Sequence, residues 1–150
     1  MLELPHAMVG AAIVTLIPNP LISLPLALAS HFITDYVPHW NPHLNVEKQT
    51  LGRFKTESII LIVIDCLLAI ILGTYIAVNS GNFWLVIAGC FLAVAPDVVE
   101  IPHFFLNLKI AWVEKLLKFQ KGHQWNVPIV WGMLSQAIVV ALCLYFIRSA

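Results

Sequence analysis

The sequence predicts an all-α fold: an integral membrane helical bundle forming a single domain over residues 1–150. It would have an N-terminal helical hairpin, three transmembrane helices and an interfacial amphipathic helix. Three observations carry this. The first is composition: 60% of the 150 residues are hydrophobic and only 11% are charged, against about 45–50% and about 25% in soluble domains. So few charges cannot coat a globule of this size, and so apolar a chain does not stay disordered. The second is that three apolar runs are long enough to cross about 30 Å of hydrocarbon at about 1.5 Å per residue. The third is that the basic residues gather in two segments.

The hairpin occupies the apolar N-terminal stretch. Glu3 and the lack of a basic n-region make that stretch a poor signal peptide. Pro18-Asn19-Pro20 breaks it with a turn signal. The piece before the turn is too short to span a bilayer at about 1.5 Å per residue. A helical hairpin or re-entrant pair, with both ends on one face, fits better than a single crossing. Residues 40–57 follow as a polar loop. Ser58 to Val78 is a span interrupted by one acid, Asp65. Asn79-Ser80-Gly81-Asn82 is a short turn. Phe83 to Phe105 is a second span, whose latter half carries Asp97, Glu100 and His103. Asn107 to Asn126, with four lysines beside an apolar face, reads as the interfacial helix. Val127 to Ile147 is the last span.

Charge orients this layout. Lys48, Arg53 and Lys55 lie in loop 40–57, and Lys109, Lys115, Lys118 and Lys121 lie in 107–126. Positive loops mark the cytoplasmic side. Two crossings separate the two segments, so both are cytoplasmic together, with the N-terminus. Zero net charge, 8 basic against 8 acidic residues, gives no electrostatic footprint for nucleic acid. Cys66, Cys90 and Cys143 sit singly in apolar runs. That excludes a disulfide framework and a thiolate metal site, and leaves them as packing residues. Trp40, Trp84, Trp112 and Trp125 fall near the expected interfaces, as an aromatic belt.

The remaining polar groups approach one membrane face. His6 opens the hairpin, and His31, Asp35 and His39 close it. Asp97, Glu100 and His103 lie in the cytoplasmic half of their span. Asp65 lies about two turns inside its own, and His123 precedes the last span. His31, Asp35 and His39 recur at i, i+4 and i+8, which stacks them on a helix face, with Pro38 setting His39 just past the helix end. Pro96 suits the first turn of a new helix, so a break is expected there. No Lys or Arg lies in these apolar segments. A carboxylate in such surroundings is protonated, paired or bound to a metal. Acids interleaved with histidines suit zinc, manganese, iron or nickel, and more candidates are present than one zinc site needs. His6, His31, Asp35, His39, Asp97, Glu100 and His103 are the candidate ligands for one or two divalent ions, zinc first, and Asp65 is a further candidate. Single interfacial histidines such as His43 and His123 also suit an ordinary amphipathic role, and Asp65 a bond between spans.

At Ser30-His31-x-x-x-Asp35-x-x-Pro38-His39, Ala95-Pro96-Asp97 and His6-x-x-x-Gly10, the chain resembles the membrane-bound metal-dependent hydrolases of bacterial inner membranes. The HxxxD element also resembles one ligand pair of zinc-dependent phospholipase C. The resemblance implies that His6, His31, Asp35, Asp97 and Glu100 are metal ligands, with His103 close by. The order of the motifs differs from the relatives. Their HRGxTHS element is only echoed by Gly122-His123-Gln124-Trp125, which lacks the Arg and the second His.

The expected function is metal-dependent hydrolysis of a phospholipid or other lipid-linked phosphoester at the cytoplasmic face of a prokaryotic inner membrane. Glu100 would be a general base when not a ligand, and His123 an acid or oxyanion donor. Membrane lipids are the expected partners, and a homo-oligomer is compatible with the sequence. Two other readings remain open: a metal-ion or proton transporter, which would hold its site near the midplane, and a non-catalytic scaffold with a structural metal.

Overall fold

The computed structural model describes residues 1–150, apart from the side chain of Asn45. Among the described residues there are eight helices and no strand: α1 Glu3–Leu16, α2 Pro20–Thr34, α3 Leu44–Leu51, α4 Thr56–Asn79, α5 Phe83–Val98, α6 Ile101–Phe105, α7 Ala111–His123 and α8 Ile129–Ser149. Three stretches are long and apolar enough to cross a membrane: α4, the α5–α6 stretch Phe83–Phe105, and α8.

The shortest apolar helix sits innermost. α1 packs against α2, α4, α5 and α8. Its Ala7, Met8, Gly10, Ala11, Ala12 and Val14 are all buried, as expected of a helix that is apolar on every side. At 14 residues it is about 21 Å long, short of a bilayer's hydrocarbon thickness. Its closest neighbour is α5. A Cβ added to Gly89 would come within 2.6 Å of Val14 Cγ1 and 2.9 Å of the Gly10 carbonyl oxygen. Glycine at both positions is what lets these two backbones touch.

α2 starts at a cap the sequence supplies. The Asn19 side chain accepts from Leu21 N–H, and Pro20 fills the first helical position. Ser23, Ala27, Ser30 and His31 form its buried stripe, which faces α1 and α5. α4 and α8 instead turn large apolar side chains outward, among them Leu67, Ile71, Val130 and Trp131. An apolar surface of that extent is compatible with lipid around the helices.

Three sequence expectations change here. The loop 40–57 contains α3, closed by Gly52 in the left-handed conformation (φ 67°). Pro96 lies inside α5, and the break comes at Val99-Glu100. Pro102 has no N–H for the Val98 carbonyl, so it ends α5 and opens α6. The i, i+4, i+8 stack is not completed on one helix: α2 stops at Thr34 with Asp35 as its C-cap, and His39 lies past the helix end, as Pro38 implied.

Candidate metal centre

Three histidines converge on Asp35 from separate parts of the chain. His6 comes from the first turns of α1 and His31 from the last turn of α2. Their rings stack with centroids 4.1 Å apart. His39 is brought in by a parallel bridge to Asn126: its N–H donates to Trp125 O, and its own carbonyl accepts from Val127 N–H. All three imidazoles are fully buried.

Each ring is held by a bond at Nδ1. His31 Nδ1–H donates to Ala93 O at 2.8 Å, and His39 Nδ1–H to Val37 O at 2.7 Å. Carbonyl oxygens only accept, so the proton sits on Nδ1 in both. Pro96 bears on the first bond. Its missing N–H leaves the carbonyl of Leu92 free and its ring loosens that turn, beside the Ala93 carbonyl that His31 reaches. His6 Nδ1 lies 2.9 Å from Thr34 Oγ1. That hydroxyl also bonds Ser30 O and His31 O within its own helix, and where its proton goes to either of them His6 Nδ1–H is the donor to Thr34 Oγ1. Nδ1 held by a backbone or hydroxyl oxygen, with Nε2 left bare, is the arrangement of a metal-binding imidazole and its supporting shell. Burial also holds the His39 imidazole below its ordinary pKa, which keeps it neutral and able to ligate.

The bare Nε2 atoms face carboxylate oxygens. His6 Nε2 is 3.4 Å and His39 Nε2 3.8 Å from Asp35 Oδ1. His31 Nε2 is 3.9 Å from Asp35 Oδ2 and 3.4 Å from Asp97 Oδ1. Two ligands about 2.05 Å from one tetrahedral ion stand about 3.3 Å apart, so a small contraction brings His6, His31 and Asp35 onto one cation, while His39 and Asp97 stand outside that mutually close set. His6, His31 and Asp35 offer ligand atoms that all lie within 4.8 Å of one another. Donors do reach part of the cluster. The Met1 amino group bonds to Asp35 Oδ1, and Gln120 Nε2 lies 3.1 Å from both His31 Nε2 and Asp97 Oδ1. Neither satisfies His6 Nε2 or His39 Nε2, which are buried without a partner. Buried acceptors facing one another are costly without something electropositive between them. This donor set fits a divalent cation.

The other sequence candidates are placed as follows. Asp97 joins the cluster through His31 and lies against Glu3. Glu100 lines the same cleft as Asp97, with Oε1 buried and unpartnered. Asp65 caps α1: its Oδ2 accepts from Glu3 N–H at 2.6 Å and Leu4 N–H at 3.0 Å, which satisfies amides no intrahelical carbonyl can reach. His103 lines a separate recess with Lys48, Gln49 and Asn107, because α6 turns after the break. His123 packs on Phe119 and Tyr36 and donates to Phe119 O. On that helix it is Gln120, and just past its end Gln124, that reach the centre, Gln124 contacting Asp35 Oδ2 at 3.4 Å. They are four residues apart and share a face, which His123 leaves by about 100°.

Sequence reasoning missed Glu3, Thr34, Gln120 and Gln124. Glu3 carried a usable signal, three residues before His6 on one helix face. The glutamines carried none, since neutral amides on an amphipathic helix read as solvated surface.

A cleft of about 1040 Å³ reaches the cluster through Asp97, Gln120 and Gln124, while His6, His31, Asp35 and His39 lie behind its wall. Glu3, Asp65, Asp97, Glu100, Gln120 and Lys121 line its polar end, and Ala69, Gly73, Ile87, Cys90 and Val94 its apolar end. Comparison with family descriptions, curated proteins and solved structures finds no match to this chain.

Proposed function

We propose that the chain is a membrane-embedded, metal-dependent hydrolase acting on a lipid-linked phosphoester at the cytoplasmic face. The observation that carries the reading is the buried cluster of His6, His31 and Asp35, which Asp97 and Gln120 join to the polar end of an amphipathic cleft. In this reading α4, α5–α6 and α8 span the bilayer, and α1–α2 enter and return as a hairpin. The bond from His6, at the start of α1, to Thr34, at the end of α2, supports that return. The basic residues around α3 and along α7 favour the cytoplasmic side for this end, and in this reading it sits at headgroup level, where a phosphoester lies.

His6, His31 and Asp35 would hold the ion, with His39 and Asp97 completing or bridging the set. Zinc suits imidazole and carboxylate ligands best, and manganese, iron or nickel are its competitors. When bound, such an ion lowers the pKa of water and offsets charge on a phosphoryl oxygen. The chain's own residues do the rest. Glu100, its Oε1 buried and unpaired, takes a proton from the attacking water. Gln120 orients Asp97 through its amide. As the attacking water adds to phosphorus the P–O bond to the lipid alcohol breaks, the departing alkoxide takes its proton from solvent at the headgroup level, and Lys121 sets a positive charge beside the phosphoryl oxygens. A site built on helix ends favours the face over the midplane, and so hydrolysis over transport.

The test is phosphate release from phosphatidic acid and related lipids by the purified protein with added zinc or manganese. Chelator-sensitive turnover that falls at least about a hundredfold in Glu100→Gln is expected, the scale of general-base catalysis. No turnover across a broad phosphoester and ester panel would overturn the reading.

A further inference from the structure

The cleft does not end at the metal centre. It continues from the acidic end down the facing stripes of α4 and α5, and its chemistry changes along the way. On α4 the lining runs Asp65, Cys66, Ala69, Gly73; on α5 it runs Asp97, Val94, Cys90, Ile87. These positions recur at helical spacing, so each set is one face. From Asp65 to Thr74 the apolar part extends about 13 Å. The two helices touch at Gly73, where an added Cβ would come within 3.2 Å of Cys90 Sγ, so the two stripes form the floor of the groove along the α4–α5 seam. Its rims are not closed over, since Ile70 is 64% and Phe91 56% exposed. At the polar end Lys121 lines the mouth, the outermost of the three lysines on α7.

We propose that this groove holds one acyl chain of an anionic phosphate lipid, the chain lying between α4 and α5 and the phosphate between Lys121 and the metal centre. This rests on the membrane placement above and deepens it. Three features select that occupant. The groove is apolar along its length and open on the side turned to the bilayer, so a chain enters sideways without crossing water. Its volume sits at the top of the range for small-molecule pockets, about 300–1,000 Å³, and suits a long amphiphile better than a compact solute. Its one cationic side chain, Lys121, stands at the polar end among Glu3, Asp65, Asp97 and Glu100, so an anionic headgroup is favoured there over a neutral one only together with the cation the centre would hold.

The test uses hexadecylphosphonate, which carries the chain and the charge but no ester to cleave, so binding reads independently of turnover. Cys66 and Cys90 line the groove and report its occupancy in the wild-type protein through alkylation by a maleimide, followed by mass spectrometry. At ten times its dissociation constant the phosphonate slows both alkylations about elevenfold. Hexadecanol protects more weakly, and phenylphosphonate not at all. Lys121→Ala weakens the phosphonate about fivefold, and Gly73→Leu, which fills the groove, removes protection. Equal alkylation rates with and without the phosphonate in the wild-type protein would overturn the proposal. So would equal protection by phosphonate and alcohol in both wild type and Lys121→Ala. Protection without any metal-dependent phosphate release would leave the groove standing and remove the hydrolase reading.

Discussion

Asp65 separates a ligand from a cap. Its Oδ2 receives two amides from the start of α1, at 2.6 and 3.0 Å, and the side chain is buried in the surroundings of α4. Asp65→Ala removes both acceptors and leaves two N–H groups unpaired. A lost N-cap costs about 0.5–2 kcal/mol, and a bond to a charged acceptor about 1.5–3 kcal/mol. Two shared, partly buried bonds therefore place the loss near about 2–4 kcal/mol. Asp65→Asn keeps one oxygen able to accept both amides and gives up only the charge, so about 1–2 kcal/mol is expected on the same scale. For a chain of this size each kcal/mol moves Tm by about 2–4 °C, which gives roughly 4–16 °C for the alanine and roughly 2–8 °C for the asparagine. The assay is thermal unfolding in detergent followed by tryptophan fluorescence, with metal content measured on the same samples well below Tm. Metal per chain is unchanged in both variants. An Asp65→Ala protein with wild-type Tm refutes the capping role. Metal loss at unchanged Tm would make Asp65 a ligand.

Two further predictions concern the ends of other helices. Gly132 lies against the His39–Trp40 backbone, where an added Cβ would come within 2.8 Å of the His39 carbonyl carbon. Gly132→Ala costs about 1–3 kcal/mol by overpacking, and lowers metal affinity about 10–100-fold through a displaced His39; calorimetric metal titration checks the second effect. Glu47 caps α4, its carboxylate accepting from Ser58 Oγ at 2.6 Å and Lys55 N–H at 2.9 Å. The Ser58 bond, then the Lys55 N–H, hold its pKa below the ordinary carboxylate value. A group depressed in the folded state stabilises above its unfolded pKa of about 4.3 and loses that contribution as pH falls through the folded value. The wild-type protein is therefore more stable than Glu47→Gln at pH 7, and the gap in Tm closes below about pH 4. A constant gap across that range would contradict this.

The long apolar runs were legible because nothing in an aqueous fold competes for them: α4 and α8 lie within two residues of their expected bounds. The central place of α1 was less so. Its residues show that it is apolar all round, but not that Gly10 meets Gly89. The site was legible in its residue types. His6, His31 and Asp35 lie together, with Asp97 beside His31 and His39 beside Asp35, His39 arriving through the bridge to Asn126 and not along the helix. Spacing alone misplaced His103 and His123, because the Val99-Glu100 break and the pitch of α7 turn them elsewhere. Gln120 and Gln124 were invisible for the opposite reason: amides take on a role only from what packs against them.

The central claim is that the buried imidazoles form a cation site. The most direct measurement is metal content per chain of the purified full-length protein, in wild type, His31→Ala and Asp97→Ala, each shown to be folded by its Tm. The account predicts at least one tightly held transition-metal ion in wild type, its loss in His31→Ala, and weakened retention in Asp97→Ala. Metal at background in the wild type after reconstitution with zinc or manganese, or equal metal in all three proteins, would contradict it.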